Sequence, residues 1–278
     1  MISNTVDCGR LIDTGVASER ASRHAFFGIS ALLFTASAAV TIVTCTSMSR
    51  MGDMPMPGGW IMSMVWMRMP GQSWPSGAAS FLGMWAVMMI AMMLPSLVPT
   101  LWRYREAVCG TGKTRLDWLT VLVGVGYFFV WTVFGMAVYP LGIALAALEM
   151  QQPALARAAP IAVGVVVLIA GAIQFTSFKA HHLGCCREAP GPGRALPADA
   201  GTALRFGLGL GLHCSYCCAS FTAAWLAIGV MDLRAMAFVT AAITVERLAP
   251  GGQRVARAVG AVLVGVGLLL TAQAAGLA

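Results

Sequence analysis

Charge is what this 278-residue chain has least of: 10% of its residues are Asp, Glu, Lys or Arg, against 58% hydrophobic. A soluble domain of this length needs far more polar surface, so the composition and the mean hydropathy of +0.78 place the chain in a bilayer. No nucleotide-binding motif is present, which excludes an ATP-driven pump carried by this chain alone. The Gly-rich "GLGLGL" from Gly207 follows no strand, so it is not a dinucleotide fingerprint. There is also no convincing internal repeat. The first apolar run is too long for a signal-peptide core and no clean cleavage site closes it, so it is expected to stay as a helix.

Seven apolar runs are present, at approximately 25–45, 79–101, 118–148, 158–178, 206–230, 235–248 and 256–277. Each is read as a crossing of roughly 30 Å of hydrocarbon, the sixth being short and the third interrupted by Pro140. The expected fold is an all-α polytopic membrane protein of six to seven helices. With the N-terminus inside, 14 of the 18 basic residues fall on inner segments, and only Arg50, Arg68, Arg157 and Arg234 fall outside. That asymmetry is the positive-inside pattern, so the net charge of +7 reports orientation and calls for no nucleic acid. The expected division is an N-terminal cytoplasmic tail (1–24) and one membrane domain (25–278). An outer loop (46–78) and a basic, flexible inner loop (179–205) belong to that domain, and the expected location is a bacterial inner membrane.

Soft ligands are abundant and clustered. Eight of the 18 methionines lie between Met48 and Met69, on the outer loop, where Met51, Met54 and Met56 are the foremost candidates to capture an ion. A thioether there cannot be oxidised to a disulfide, as a thiol could. Trp60, Trp66 and Trp74 leave a second reading open, an interfacial helix with methionines dipping into lipid. In the second run Met84, Met88 and Met92 form one stripe, with Met89 and Met93 beside it. Packing and ligation both fit such a stripe.

Five of the eight cysteines fall in "HHLGCC" (His181 to Cys186) and "HCSYCC" (His213 to Cys218). Cys214, Cys217 and Cys218 share one helix face at i, i+3, i+4, and His182, Cys185 and Cys186 repeat that spacing if the helix continues through Gly184. His213 points about 100° away from its cysteines and joins them only through a distorted helix. Gly207 and Gly211 offer either that distortion or close helix packing. Thiols with imidazoles at a reducing face suit Cu(I), with Zn(II) as the other option. Glu246, an acid near the inner end of the sixth run, is either functional, snorkelling or paired with Arg247. Gln174 and Lys179 are candidates to support the ion pathway, Gln174 otherwise serving as interhelical hydrogen-bonding glue.

At these residues the chain resembles a bacterial family of predicted metal-binding integral membrane proteins of unknown function. "MMIAMMLPSLVP" (Met88 to Pro99) is similar to that family's most distinctive motif. "QFTSFKAHHLGCCR" (Gln174 to Arg187) resembles its Gln-x-Thr-Pro-x-Lys segment followed by Cys-x-x-His-Cys-Arg. "GLHCSYCCASFTAAWLAIGVMDL" through "VERLAP" resembles its Cys-x-x-Cys-Cys helix, Gly-Val-Met turn and acidic helix end. Ser177 stands in place of proline, Arg247 in place of lysine, and His182 and Cys185 exchange the family's Cys and His. The resemblance covers roughly residues 79–270 and implies a metal-binding membrane protein.

The sequence thus reads as a binding protein rather than an enzyme, with no catalytic residues named. Copper would pass from the outer methionines through Met88, Met89, Met92 and Met93 to Cys214, Cys217, Cys218, His182, Cys185, Cys186 and His213. Its partners would be the lipid bilayer, the metal ion and a metallochaperone or membrane complex. A membrane redox enzyme, or an accessory or assembly subunit of a metalloenzyme, is the alternative.

Overall fold

Four helix starts carry a cap that the local sequence supplies. Ser73, Thr176, Asp199 and Asp232 each accept a backbone N–H from the first turn they precede, satisfying donors that a helix N-terminus leaves without partners. In the computed structural model, which describes residues 8–50, 54–56, 60–67, 71, 73–108, 112–191 and 196–276, eight helices follow. They are α1 (Cys8–Arg50), α2 (Trp74–Ala107), α3 (Lys113–Gln151), α4 (Pro153–Ile173), α5 (Ser177–Glu188), α6 (Ala200–Ile228), α7 (Leu233–Leu248) and α8 (Gly252–Ala274). One two-residue hairpin, β1 (Met54–Pro55) against β2 (Ile61–Met62), sits between α1 and α2.

Among the described residues, five helices are long and apolar enough to cross a membrane: α1 (over Arg20–Met48), α2, α3, α4 and α8. The two remaining runs of the sequence reading are α6 and α7. The 16 residues of α7 make it short. Helix α6 has the length, 29 residues, but its glycines, His213, Tyr216 and serines dilute its hydropathy. It packs against α3, α4, α5 and α7, so less of it needs an apolar surface for lipid. By contrast α1, α3 and α8 present rows of exposed large apolar side chains, among them Leu32, Phe129 and Leu268.

The boundaries correct several expectations. Pro140 does not interrupt α3, which continues to Gln151, and α2 likewise runs through Pro95 and Pro99. Neighbouring helices can stabilise a proline site in a membrane bundle. The fourth run does not reach residue 178 as one helix. The chain turns at Gln174–Thr176, and Thr176 then caps the separate α5. The segment 179–205 is therefore helical at both ends, through Glu188 and again from Ala200. The segment 46–78 likewise begins and ends in helix, because α1 extends to Arg50 and α2 begins at Trp74.

Helices α3 and α6 meet through glycine. A methyl at Gly207 would run into the carbonyl of Val123, and one at Gly211 would sit 2.9 Å from the carbonyl of Tyr127. Of the two roles open to these glycines, close packing is the one observed. It brings the Cys214 turn of α6 against Tyr127 of α3. Gly229 closes α6 with φ 153°, a conformation that side chains disfavour. One buried core draws on all eight helices, and Arg103, Arg187 and Arg247 gather at one end of the bundle. The β1–β2 hairpin lies at the other end, where Trp60 donates its indole N–H to the carbonyl of Ala156 at 2.8 Å.

Candidate metal centre

Helix α6 turns its i, i+3, i+4 cysteines inward: Cys214, Cys217 and Cys218 are all buried. Helix α5 contributes a fourth thiol through the face formed by Lys179, Leu183 and Cys186, at spacings of four and three, which it buries against its neighbours. The Cys217 thiol interacts with those of Cys186 and Cys218, and Cys214 Sγ lies 3.8 Å from Cys218 Sγ. The four thiols thus form a contiguous run, Cys186–Cys217–Cys218–Cys214. Among the described residues no three histidine, cysteine or acidic side chains surround a common point as a preformed metal cage would require. The centre is a string of thiol pairs.

Polar groups surround that string. The Tyr127 hydroxyl lies 2.9 Å from Cys214 Sγ. Arg247 reaches Cys186 Sγ at 3.5 Å with one nitrogen and donates to Ser96 Oγ at 3.2 Å with another. Lys179 pairs with Glu246 at 2.7 Å, donates to the carbonyl of Cys217 at 2.9 Å and sits 4.6 Å over the Phe221 ring. Of the roles considered for Glu246, pairing with Arg247 and snorkelling are both overturned. The partner is Lys179 and the carboxylate is 1% exposed, because α5 inserts its lysine between α6 and α7. Gln174 donates to Ser220 Oγ at 3.0 Å, bridging the α4 end to α6 as expected of interhelical glue. Arg187 donates to the carbonyls of Glu246 at 2.6 Å and Arg247 at 3.1 Å, tying α5 to the end of α7.

The methionines of α2 occupy the same core: Met88, Met89, Met92 and Met93 are each no more than 3% exposed. Their depth follows from register. Trp85 of α2 and Trp225 of α6 meet in a tilted pair with centroids 5.7 Å apart. The two helices run in opposite directions, so seven residues toward the arginine-rich end lead to Met92 on one and Cys218 on the other, about 10 Å along each axis. Ser96, which holds Arg247, is one turn beyond Met92 and Met93.

The remaining candidates do not join this centre. Cys185, His182 and His213 lie on the half-exposed flank of α5 and α6 beside the buried thiols, His182 one turn before Cys186 and His213 one turn before Cys217. There His182 Nδ1 stands 3.2 Å from His213 Nδ1, with the rings of Phe178 and Tyr216 at 4.5 and 5.1 Å from His182. Burial and the neighbouring His213 and His181 push the His182 imidazole below its ordinary value. In the hairpin, Met56 and Met62 pack against Ala146 and Ala156 with Trp60 and Trp66. Met51 lies outside the described residues, and Met54 is described in its backbone only. Sequence reasoning missed Tyr127 and Ser96 and misplaced Arg247. The signals were a tyrosine among apolar residues beside Gly126 and a serine one turn after Met92.

A donor set of thiols and thioethers is soft, and imidazoles nearby add a borderline donor, a chemistry consistent with copper. No curated protein and no solved structure matches the chain. A family model described as "PpoB2: Copper chaperone" matches residues 82–270, which contain every residue of the thiol centre and of the α2 methionine stripe, and the chain belongs to that copper chaperone family.

Proposed function

We propose that this protein is a membrane-embedded Cu(I) chaperone that carries its ion on the thiols Cys186, Cys214, Cys217 and Cys218 and passes it along the bundle by way of Met92 and Met93. The observation that carries the reading is the contiguous run of four buried thiols at the depth of the methionine stripe. Two thiolates around one Cu(I) carry a net negative charge, which a buried site must offset. Arg247 stands beside Cys186, so positive charge is already in place, whereas the charge of Lys179 is balanced by Glu246. The absence of a three-ligand cage among the described residues suits transfer, since an ion held by successive pairs can exchange one sulfur at a time.

Met51 and Met54 would gather copper before it enters the bundle. Met56, packed against Ala146 and Ala156, instead seats the hairpin.

The test is copper content after anaerobic loading with Cu(I) and removal of loose metal with a chelator. Wild-type protein retains stoichiometric copper, and the variant Cys186→Ser/Cys214→Ser/Cys217→Ser/Cys218→Ser falls to the level of a protein-free control. Equal retention by both would sink the proposal. Met92→Leu/Met93→Leu keeps the volume and removes the sulfur, so it should leave retained copper unchanged while slowing its release to an acceptor chelator. A wild-type release rate in that variant would remove the methionines from the path.

A further inference from the structure

The half-exposed flank of α5 and α6 beside the buried thiols carries a second constellation that the thiol centre does not use. His182 Nδ1 and His213 Nδ1 are 3.2 Å apart, supplied by two different helices, and both side chains are half-exposed. Metal–imidazole bonds are about 2.0–2.1 Å long, so an ion bonded to both nitrogens would subtend an N–metal–N angle of about 100°, close to tetrahedral. Phe178 and Tyr216 flank the His182 ring edge-on and tilted, restricting its rotation. One turn from His182 along the same helix, Cys185 Sγ stands 3.8 Å from His181 Nε2, adding a second soft pair beside the first.

We infer that His182 and His213 form a separate exchange site for copper on the rim of the bundle, holding the ion with two nitrogens and leaving its other positions open to an incoming ligand. The inference rests on the copper role proposed above, but its ligands are none of the four core thiols. Two imidazole nitrogens at this distance share one proton when both rings are neutral. An ion seated between them displaces that proton to the Nε2 of the same ring, so both histidines bind as neutral ligands and no net proton is lost. The chemistry of the two places then differs as a route requires. The rim is accessible and nitrogen-rich with few protein ligands, and the core is enclosed and sulfur-rich. A partner presenting a thiol or thioether could reach an ion at the rim, whereas it could not reach Cys214 or Cys218, both 1% exposed or less.

The test uses full-length protein in detergent with Cu(I) as the probe, supplied anaerobically. In the variant with Cys186, Cys214, Cys217 and Cys218 changed to serine, copper X-ray absorption should show nitrogen neighbours with the outer-shell scattering of imidazole. Adding His182→Ala/His213→Ala should abolish that signal. The same histidine changes in the protein with all its cysteines should leave the chelator-resistant copper of the thiol core intact, which also verifies the fold. In that protein, the rate of copper uptake from a thiol-bearing donor should fall at least tenfold. The rim site is overturned if the serine variant shows no imidazole scattering, or if the signal persists without the two histidines. Loss of core copper in the wild-type protein would instead overturn the thiol reading and leave the rim result standing.

Discussion

Replacing Glu246 with glutamine tests whether the polar layer around the thiols is held by charge. Lys179 Nζ stands 2.7 Å from Glu246 Oε2, and neither side chain is more than 2% exposed. Unit charges at that separation attract by about 6 kcal/mol at an effective dielectric of about 20. Taking both ions out of water offsets much of this, so the intact pair contributes little net stability. Breaking it is another matter. Glu246→Gln would leave the ammonium buried with only the Cys217 carbonyl and the Phe221 ring as partners. A buried charge abandoned in this way costs about 3–5 kcal/mol. For a chain of this size, about 2–4 °C of melting temperature accompanies each kcal/mol, so the transition should drop by roughly 6–20 °C. Removing both charges with Lys179→Met/Glu246→Leu should recover most of that loss, because no ion is then left unpaired. The assay is thermal unfolding in detergent, followed by circular dichroism, of Glu246→Gln and of the cycle made by wild type, Lys179→Met, Glu246→Leu and their double. A double variant as unstable as the sum of the two singles would refute the pairing. An unshifted Glu246→Gln would refute the burial.

Other consequences follow from single contacts. Tyr127→Phe removes the hydroxyl 2.9 Å from Cys214 and should cost about 1 kcal/mol in unfolding experiments, with copper stoichiometry unchanged. Gly207→Val should destabilise by about 1–3 kcal/mol or more, because its first methyl already meets the Val123 carbonyl. Gly209→Ala, with nothing within 4 Å of the added methyl, should instead gain up to about 1 kcal/mol. The Asp199 carboxyl is held below its ordinary value, chiefly by the Thr202 backbone N–H that it caps. Its charge therefore stabilises α6 at neutral pH, and that contribution disappears as pH falls from about 4 through the lower native value. Asp199→Asn should melt below wild type at pH 7, and the gap should close in acid.

Helix content, the bilayer as solvent and the soft-ligand inventory were legible in the sequence, because each depends on composition and on spacing within one segment. The i, i+3, i+4 rule placed Cys214, Cys217 and Cys218 on one face correctly, since α6 is regular there. The same rule made neighbours of His182, Cys185 and Cys186, and α5 does continue through Gly184, yet only Cys186 is buried. Helical spacing says which residues are neighbours and is silent on which side of the helix meets the core. On α5 that side was decided by Lys179, Leu183 and Cys186, which found partners in α6 and α7, leaving Cys185 and His182 on the rim. Glu246 shows the same limit. Its adjacent residue in sequence is Arg247, and its partner in space is Lys179, 67 positions earlier.

By itself the sequence determined that this is a helical, membrane-type chain rich in thiols and thioethers, because hydrophobicity and ligand chemistry are properties of residues. Only the tertiary structure decided that four thiols from two helices are buried together and that two histidines from those same helices meet on the half-exposed flank beside them. Those outcomes depend on how α3, α5, α6 and α7 pack, which glycine contacts and buried ion pairs fix over long separations in the chain.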